Sequence, residues 1–409
     1  MTSSLESTLQ LAPALHAPAN QWLHAVLVEQ QTSDKVVTQL LRNLPQAQHP
    51  QLVQWGGTVL RQLNLCWTLV HNEPLPTLPL PAHLVSQLTP TLANGWTAAV
   101  RSRYQALQSA GPQALLDGCP QWLDELASAL PNWPATRLAL AQAPARYIRV
   151  NRLKTNLDAL QQRLKTEGIQ TKRLNEVPTA LEVTGNAALF KSAAFREGWF
   201  EQQDAGSQLV ALQLDVQPGM RVIDACAGAG GKSLLLAAQM QGRGRVLSMD
   251  IEAWKLDALK ERAKRAGAAC IETRLITSSK TIKRLADSAD RLLLDVPCSG
   301  TGVLKRNPEG KWRHQPEHLT ELLQLQADIL RRYSKMLKPG GQLVYATCSV
   351  LPCENQQQVA AFLAEHSEFS LVRDQLLDPA THGWDGFYYA VLVRNCSKAS
   401  NKPAVSRDN

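Results

Sequence analysis

Arg291-Leu292-Leu293-Leu294-Asp295-Val296-Pro297-Cys298-Ser299-Gly300 reads as an apolar strand that ends at an acid and turns into a thiol-bearing loop. A second segment is built the same way: Gln342-Leu343-Val344-Tyr345 runs into Ala346-Thr347-Cys348-Ser349. Both continue into small or hydroxyl-bearing residues that suit tight turns. In an open α/β sheet the ligand crevice lies outside the carboxyl ends of the strands, so two thiols emerging there can face one substrate atom. A single Cys at a strand end is commonly inert packing. Two of them, one with an Asp three positions before it, point to covalent chemistry.

Around these segments, residues 216–395 alternate strand-like and helix-like stretches, the pattern of a parallel sheet with helices on both faces. Strands are expected at Arg221–Asp224, Arg245–Met249, Cys270–Leu275, Arg291–Leu294, Gln342–Tyr345 and Phe387–Val393, with a short one near Phe369–Val372. Residues 141–215 read as a small α+β module, with strands near Tyr147–Val150 and Ala180–Val183 and a strand running into a turn over Trp199–Ala205. Residues 1–140 show helical spacing of Leu, Ala and Trp, interrupted by the proline-rich stretch Glu73–Pro81. The tail, 396–409, is polar and is expected to be disordered.

Composition narrows the class. With 409 residues the chain has room for two or three domains. No apolar stretch is long enough for a membrane span, and Met1–Glu6 lacks a cationic region before an apolar core. A cytoplasmic, reducing compartment is the expectation, where free thiols stay reactive. The other cysteines, Cys66, Cys119, Cys226, Cys270, Cys353 and Cys396, form no CxxC pair and no zinc-finger spacing. His314 and His318 have ligand-pair spacing, but Pro316 lies between them and no HExxH glutamate follows, so no metal is expected.

The net charge is +8, yet residues 1–140 carry 6 Lys+Arg against 7 Asp+Glu, so the basic surface belongs to the later part of the chain. Two clusters mix cations with aromatics: Arg146-Tyr147-Ile148-Arg149-Val150-Asn151-Arg152-Leu153-Lys154, and Lys305-Arg306-Asn307 leading to Lys311-Trp312-Arg313. Each reads either as a nucleic-acid footprint or as solvated charge.

The loop after the first strand of the long alternation is Asp224-Ala225-Cys226-Ala227-Gly228-Ala229-Gly230-Gly231-Lys232-Ser233. It imitates a Walker A loop, but Cys226 stands where the first Gly is required; GxGxxG fails as well, at Ser233. Small residues still let a ligand approach the backbone at a helix start. Asp250, at the end of the next strand, can take the two hydroxyls of a ribose. The combination fits an adenosine-containing cofactor held without phosphate recognition, such as S-adenosylmethionine.

Taken together, these residues resemble the RsmB/NOP family of RNA cytosine-5 methyltransferases over roughly residues 120–395. Asp295-Val296-Pro297-Cys298-Ser299 and Thr347-Cys348-Ser349 carry the resemblance most specifically. Gly230-Gly231-Lys232, Arg149-Val150-Asn151-Arg152, Gln203-Asp204-Ala205 and Asp385-Gly386-Phe387-Tyr388 support it. The resemblance implies a Rossmann-like class I methyltransferase domain, an RNA-binding α+β subdomain and a helical amino-terminal region. It implies methyl transfer from S-adenosylmethionine to carbon 5 of a cytosine in RNA, ribosomal RNA foremost, by a monomer without membrane association.

By the same resemblance Cys348 is the nucleophile, Cys298 assists release as a base or through water, and Asp295 binds the cytosine edge. Asp250 would bind the ribose, Cys226, Ala227, Gly228, Ala229, Gly230, Gly231 and Lys232 the methionine end, Thr277 the adenine region, and Asp295 both ligands. The chain departs from the family at Gly228-Ala229, at Ile276-Thr277-Ser278-Ser279 where an acid is common, and in residues 1–115, which do not show a NusB-like pattern. Those departures keep open an alternative, a non-catalytic RNA-binding or ribosome-assembly factor on the same fold.

Overall fold

The two thiol-bearing loops leave neighbouring strands of a seven-stranded sheet. The structure is a computed structural model that describes residues 2–185, 187–313 and 316–396. The expected disorder of the tail and the position of His314 fall outside the described residues, apart from Cys396. Among the described residues, no helix is long and apolar enough to cross a membrane.

Residues 2–140 form helices around a core of Leu15, Trp22, Leu23, Trp55, Trp67 and Leu88. His49–Arg61 shows why the segment is helical: Leu52, Trp55, Val59 and Leu60 recur at three- and four-residue steps and bury one face. The proline-rich stretch connects the helix Leu63–His71, ended by Asn72 in the left-handed conformation, to the helix Ala82–Ala93.

A four-stranded antiparallel sheet follows, from β1 (Arg146–Val150), β2 (Thr171–Arg173), β3 (Ala180–Val183) and β4 (Phe200–Gln202), in the order β2-β3-β1-β4. The helix Leu157–Thr166, capped where Asn156 accepts from the Ala159 N–H, covers one face through Leu160 and Leu164, packed with Ile148, Leu181 and Phe200. β1 is central, so alternate residues are buried in opposite directions: Ile148 faces that helix, while Tyr147 packs with Ala205 and Trp384. β2 had no sequence signal; at three residues with polar side chains it holds by pairing to β3 and by bonds to the helix Leu157–Thr166, where Gln161 donates to Thr171 O at 3.1 Å and Arg173 donates to Gln161 at 2.9 Å.

The larger sheet comprises β5 (Arg221–Asp224), β6 (Arg245–Asp250), β7 (Ile271–Leu275), β8 (Ala289–Asp295), β9 (Leu337–Thr347), β10 (Phe369–Leu377) and β11 (Phe387–Arg394), in the order β10-β11-β9-β8-β5-β6-β7. It is a Rossmann-like α/β sheet, but not wholly parallel: β11 runs antiparallel to both β9 and β10. The connection from β10 to β11 is too short for a crossover helix, so the chain returns as a hairpin. β10 extends past Val372 because the edge strand tolerates Arg373, Asp374 and Gln375 facing outward, where Tyr388 and Tyr389 donate to Asp374 and Gln375. Strand order reverses between β5 and β8, which opens a crevice at their carboxyl ends.

Candidate active site

β8 and β9 are parallel neighbours with Leu294 opposite Tyr345 and Asp295 opposite Ala346, so their exit loops leave side by side. The register brings Sγ of Cys298 to 3.4 Å from Sγ of Cys348. From β5, across the crevice, the helix Gly231–Gln239 sends Lys232 to the same point. Its Nζ donates to Asp295 Oδ2 at 2.6 Å and lies 5.2 Å from the centre of the Phe387 ring. Sequence reasoning grouped Lys232 with the cofactor loop; its side chain is buried and ends beside Asp295.

Electrostatics divides these groups. Burial pushes the Lys232 ammonium down, but Asp295, its hydrogen bond and the nearby Cys348 outweigh that, and the net shift is upward, so the cation is retained. The Cys298 thiol is pushed well up, first by its hydrogen bond to Cys348, then by burial and by the charges of Cys348 and Glu354. Cys298 is thereby held as the protonated thiol.

Glu354 and Asn355, which no motif indicated, hold both loops. Glu354 is fully buried; Oε1 accepts from the Ser299 N–H at 2.8 Å and from Gln326 Nε2 at 2.9 Å, and Oε2 accepts from the Ser299 and Ser349 hydroxyls. Asn355 accepts from Thr347 Oγ1 at 2.6 Å and donates to Ser349 O at 2.9 Å. A Glu-Asn pair six residues beyond a thiol has no hydrophobic period and no motif to betray it; burial alone reveals it.

The other half of the crevice is built from the ends of β5, β6 and β7. Gly230, at φ +82°, needs the left-handed region, and a Cβ there would stand 2.0 Å from Leu259 Cδ1. At Gly228, φ +52°, a Cβ would meet nothing within 4 Å, so the loop opens onto free space. Asp250 accepts from the Gly228 N–H at 2.8 Å on Oδ2 and from the Glu252 N–H at 2.9 Å on Oδ1. Asp250 is buried and anchors the loop, and each of its oxygens keeps acceptor capacity beyond that one bond. Ala227 N–H donates to Met249 O, and Arg262 donates to Ala229 O at 2.6 Å and to Glu201 of β4, tying the loop to the smaller sheet. The half-buried Cys226 packs against the core around Ile223, and burial drives its thiol well up. Asp224, at the root of the loop, accepts from Ser233 at 2.6 Å and is pushed up to about 7, chiefly by burial. Thr277 is exposed, one residue beyond Ile276, whose N–H donates to Asp250 O. Among the described residues, no group of His, Cys, Asp and Glu could hold a metal ion.

The basic clusters require correction. Arg149 is fully buried and donates to Gln203 Oε1 at 2.7 Å; Tyr147 is buried; Arg146 donates to the carbonyls of Ala187 and Gly185. The strand is central, so alternation sends Arg149 inward to the larger domain. In the second cluster, Lys305 donates to Gly383 O and Arg306 pairs with Asp204 and Asp385. Lys311 donates to the carbonyls of Arg61 and Gly118 at 2.9 and 2.8 Å, and Trp312 to Leu60 O at 2.8 Å. Burial pulls Lys311 down to about 8. Lys311 and Trp312 thus fasten the helical region to the loop that follows Cys298, while Lys305 and Arg306 tie that loop to residues 204 and 383–385.

Arg152 and Lys154 alone of the first cluster's cations are exposed. Lys154→Ala is therefore expected to flatten the dependence of log affinity for RNA on log salt by about 0.7 for a single strand or 0.9 for a duplex. Arg149→Ala should leave that slope unaltered. Filter binding across a salt series reads both, and an unchanged slope in Lys154→Ala removes it from the interface.

Residues 211–393 match the family described as 16S rRNA methyltransferase RsmB/F, and residues 119–189 match the ferredoxin-like domain of RsmF/B-like methyltransferases. The chain is 36% identical over 290 residues to a Pasteurella multocida protein named ribosomal RNA small subunit methyltransferase B, covering 67% of this chain and 64% of that one. A Pectobacterium carotovorum protein of the same name is 37% identical over 297 residues, covering 68% and 66%. The chain thus spans just under two thirds of these relatives. The solved structure of PH0851 superimposes with a TM-score of 0.80 at 23% identity over 94% of this chain and all of that one. A methyltransferase homolog protein from Pyrococcus horikoshii gives 0.61 at 25% identity, covering 68% and 97%.

Proposed function

The chain belongs to the RsmB/F methyltransferase family, and from that premise we propose that it transfers a methyl group from S-adenosylmethionine to carbon 5 of a cytosine in RNA, through a covalent adduct with Cys348. The names of its relatives point to ribosomal RNA of the small subunit. The observation that carries the reading is the pair of thiols at 3.4 Å beside the Asp295–Lys232 ion pair.

The residues present suit the cofactor: a loop with open space at Gly228, and an Asp250 carboxylate with lone pairs left for two hydroxyls. Asp250 would hold the ribose, Cys226–Lys232 the methionine end, chiefly by backbone, and Thr277 the edge near the adenine. Bound there, S-adenosylmethionine supplies an electrophilic methyl group.

The remaining work falls to the chain. Carbon 5 of cytosine is a weak nucleophile until the ring's aromatic character is broken. Cys348 as thiolate forms a bond to carbon 6, the carbon 5–carbon 6 double bond is lost, and its electron pair becomes available at carbon 5. Asp295 holds the cytosine edge around ring nitrogen 3, and Lys232 supplies the positive charge beside Cys348. The base must be unstacked to reach this depth. After methylation the proton on carbon 5 leaves, the double bond re-forms and Cys348 departs with its electron pair.

Timing follows from the contact of the two sulfurs. Cys298 keeps its proton while it is hydrogen-bonded to the free Cys348 sulfur; once that sulfur is bonded to carbon and neutral, Cys298 gives its own proton to solvent and, as thiolate, takes up the proton leaving carbon 5, directly or through water. Paired thiols in contact favour this reading over a non-catalytic RNA-binding factor on the same fold. We further propose a monomer in the cytoplasm, where eight free cysteines remain reduced, divided into units at 1–140, 141–215 and 216–395.

Bisulfite sequencing of ribosomal RNA from a strain lacking the protein, with and without the gene restored, tests the activity. One cytosine should resist conversion only in the restored strain. If no position differs, the proposal fails for ribosomal RNA.

A further inference from the structure

Glu354 is a buried carboxylate whose four partners are all neutral donors: the Ser299 N–H and Gln326 amide on one oxygen, the Ser299 and Ser349 hydroxyls on the other. A charge placed there is costly in lost hydration unless its acceptor sites are filled, and four donors about saturate a carboxylate. The fold keeps this group where an apolar side chain would pack at no such cost. What it joins is the residue after each thiol.

The two thiols do not depend on it equally. Cys348 follows the last paired residue of β9, Thr347, which is opposite Tyr388 and is bonded by Asn355. Cys298 lies beyond the end of β8, whose pairing stops at Asp295, with further bonds from the Val296 N–H to Ala346 O and from Gln326 Nε2 to Pro297 O at 2.9 Å, and that Gln326 amide is itself held by Glu354. The backbone N–H next after Cys298 goes to Glu354. Without that carboxylate, Cys348 keeps its own support, while Cys298 loses the bond on its carboxyl side and the anchor of the Gln326 amide that holds its amino side.

We propose that Glu354 is a positioning residue that holds Cys298 against Cys348 and so sets the rate at which the covalent adduct is resolved, an inference that rests on the two-thiol reading above. The carboxylate touches no reacting atom; it acts through Ser299 and Ser349.

The test uses the full-length protein with labelled substrate RNA and S-adenosylmethionine, with the adduct read on a denaturing gel and cofactor affinity by titration. Glu354→Ala should form the adduct and accumulate it to at least about tenfold over the wild type, the scale of losing hydrogen bonds to a charged group, with cofactor affinity within about twofold. Glu354→Gln keeps an acceptor for Ser299 N–H and Gln326, and the two hydroxyls can reverse to accept from its amide, so release should stay within about threefold of wild type. If Glu354→Ala loses cofactor binding, the double variant Ser299→Ala/Ser349→Ala decides, since it removes two donors and leaves the carboxylate; about tenfold accumulation is expected there too.

Wild-type release in Glu354→Ala, or in the double variant, overturns the positioning role. So does trapping by Glu354→Gln equal to that of Glu354→Ala, which would assign the effect to charge. Cys298→Ala run alongside separates the levels: if it traps adduct and Glu354→Ala does not, only the clamp fails, and if it traps none, the two-thiol reading fails first.

Discussion

Cys348→Ala is expected to abolish methyl transfer, by about 10³-fold or more, while cofactor affinity stays within about twofold. The first half follows from chemistry: without a sulfur at carbon 6, the electron pair never becomes available at carbon 5, and no neighbour can replace it. Cys298, 3.4 Å away, is held as the neutral thiol and sits on a different loop. The second half follows from topology, because Cys348 leaves β9 whereas the residues assigned to the cofactor leave β5, β6 and β7, apart from Asp295 at the end of β8. The truncated side chain packs only at the edge of a core, so the variant should fold, at a loss of about 1 kcal/mol. Transfer of labelled methyl groups to RNA and titration with S-adenosylmethionine check the two halves separately. Turnover within tenfold of wild type would remove Cys348 from its role.

Cys298→Ala should behave differently, and a packing explanation cannot account for the difference. If Cys298 takes the carbon 5 proton, its loss leaves attack and methylation intact but slows release by about 10²–10⁴-fold, the ordinary contribution of a positioned base. A protein–RNA species that survives denaturation should accumulate. In the double variant lacking both thiols none should form, because the attacking atom is gone. Denaturing electrophoresis with labelled RNA resolves all three proteins in one experiment. The reverse pattern, adduct in Cys348→Ala and none in Cys298→Ala, would exchange the two roles.

Both experiments depend on a feature only partly visible in the linear chain. The apolar runs before Asp295 and Thr347 were enough to place each Cys at a strand end, since strand propensity and turn chemistry act over a few neighbouring residues. That the strands are adjacent, parallel and in a register that makes the sulfurs touch depends on strand order, and no local pattern encodes it.

The same division explains the errors. Arg149 and Lys311 look in sequence like surface cations, because a lysine or arginine beside an aromatic is usually solvated. Each is instead buried among acceptors: Arg149 because the central strand of the smaller sheet has no solvent face, Lys311 because the loop after Cys298 is pinned to the helical region by two carbonyls. The antiparallel β11 was hidden for a related reason. Its apolar run has the composition of any buried strand, and direction is decided by the length of the connection before it.

Alternation of short apolar runs with amphipathic stretches, the small residues from Cys226 to Lys232 and the acids at strand ends thus sufficed for an α/β sheet with a cofactor crevice, because each reflects interactions between near neighbours in the chain. The contact of two thiols, the reach of Lys232 to Asp295 and the burial of Glu354 between two loops were decided by tertiary packing alone. They join residues 50, 63 and 55 positions apart, and contact over such separations is specified by the whole sheet rather than by any segment of it.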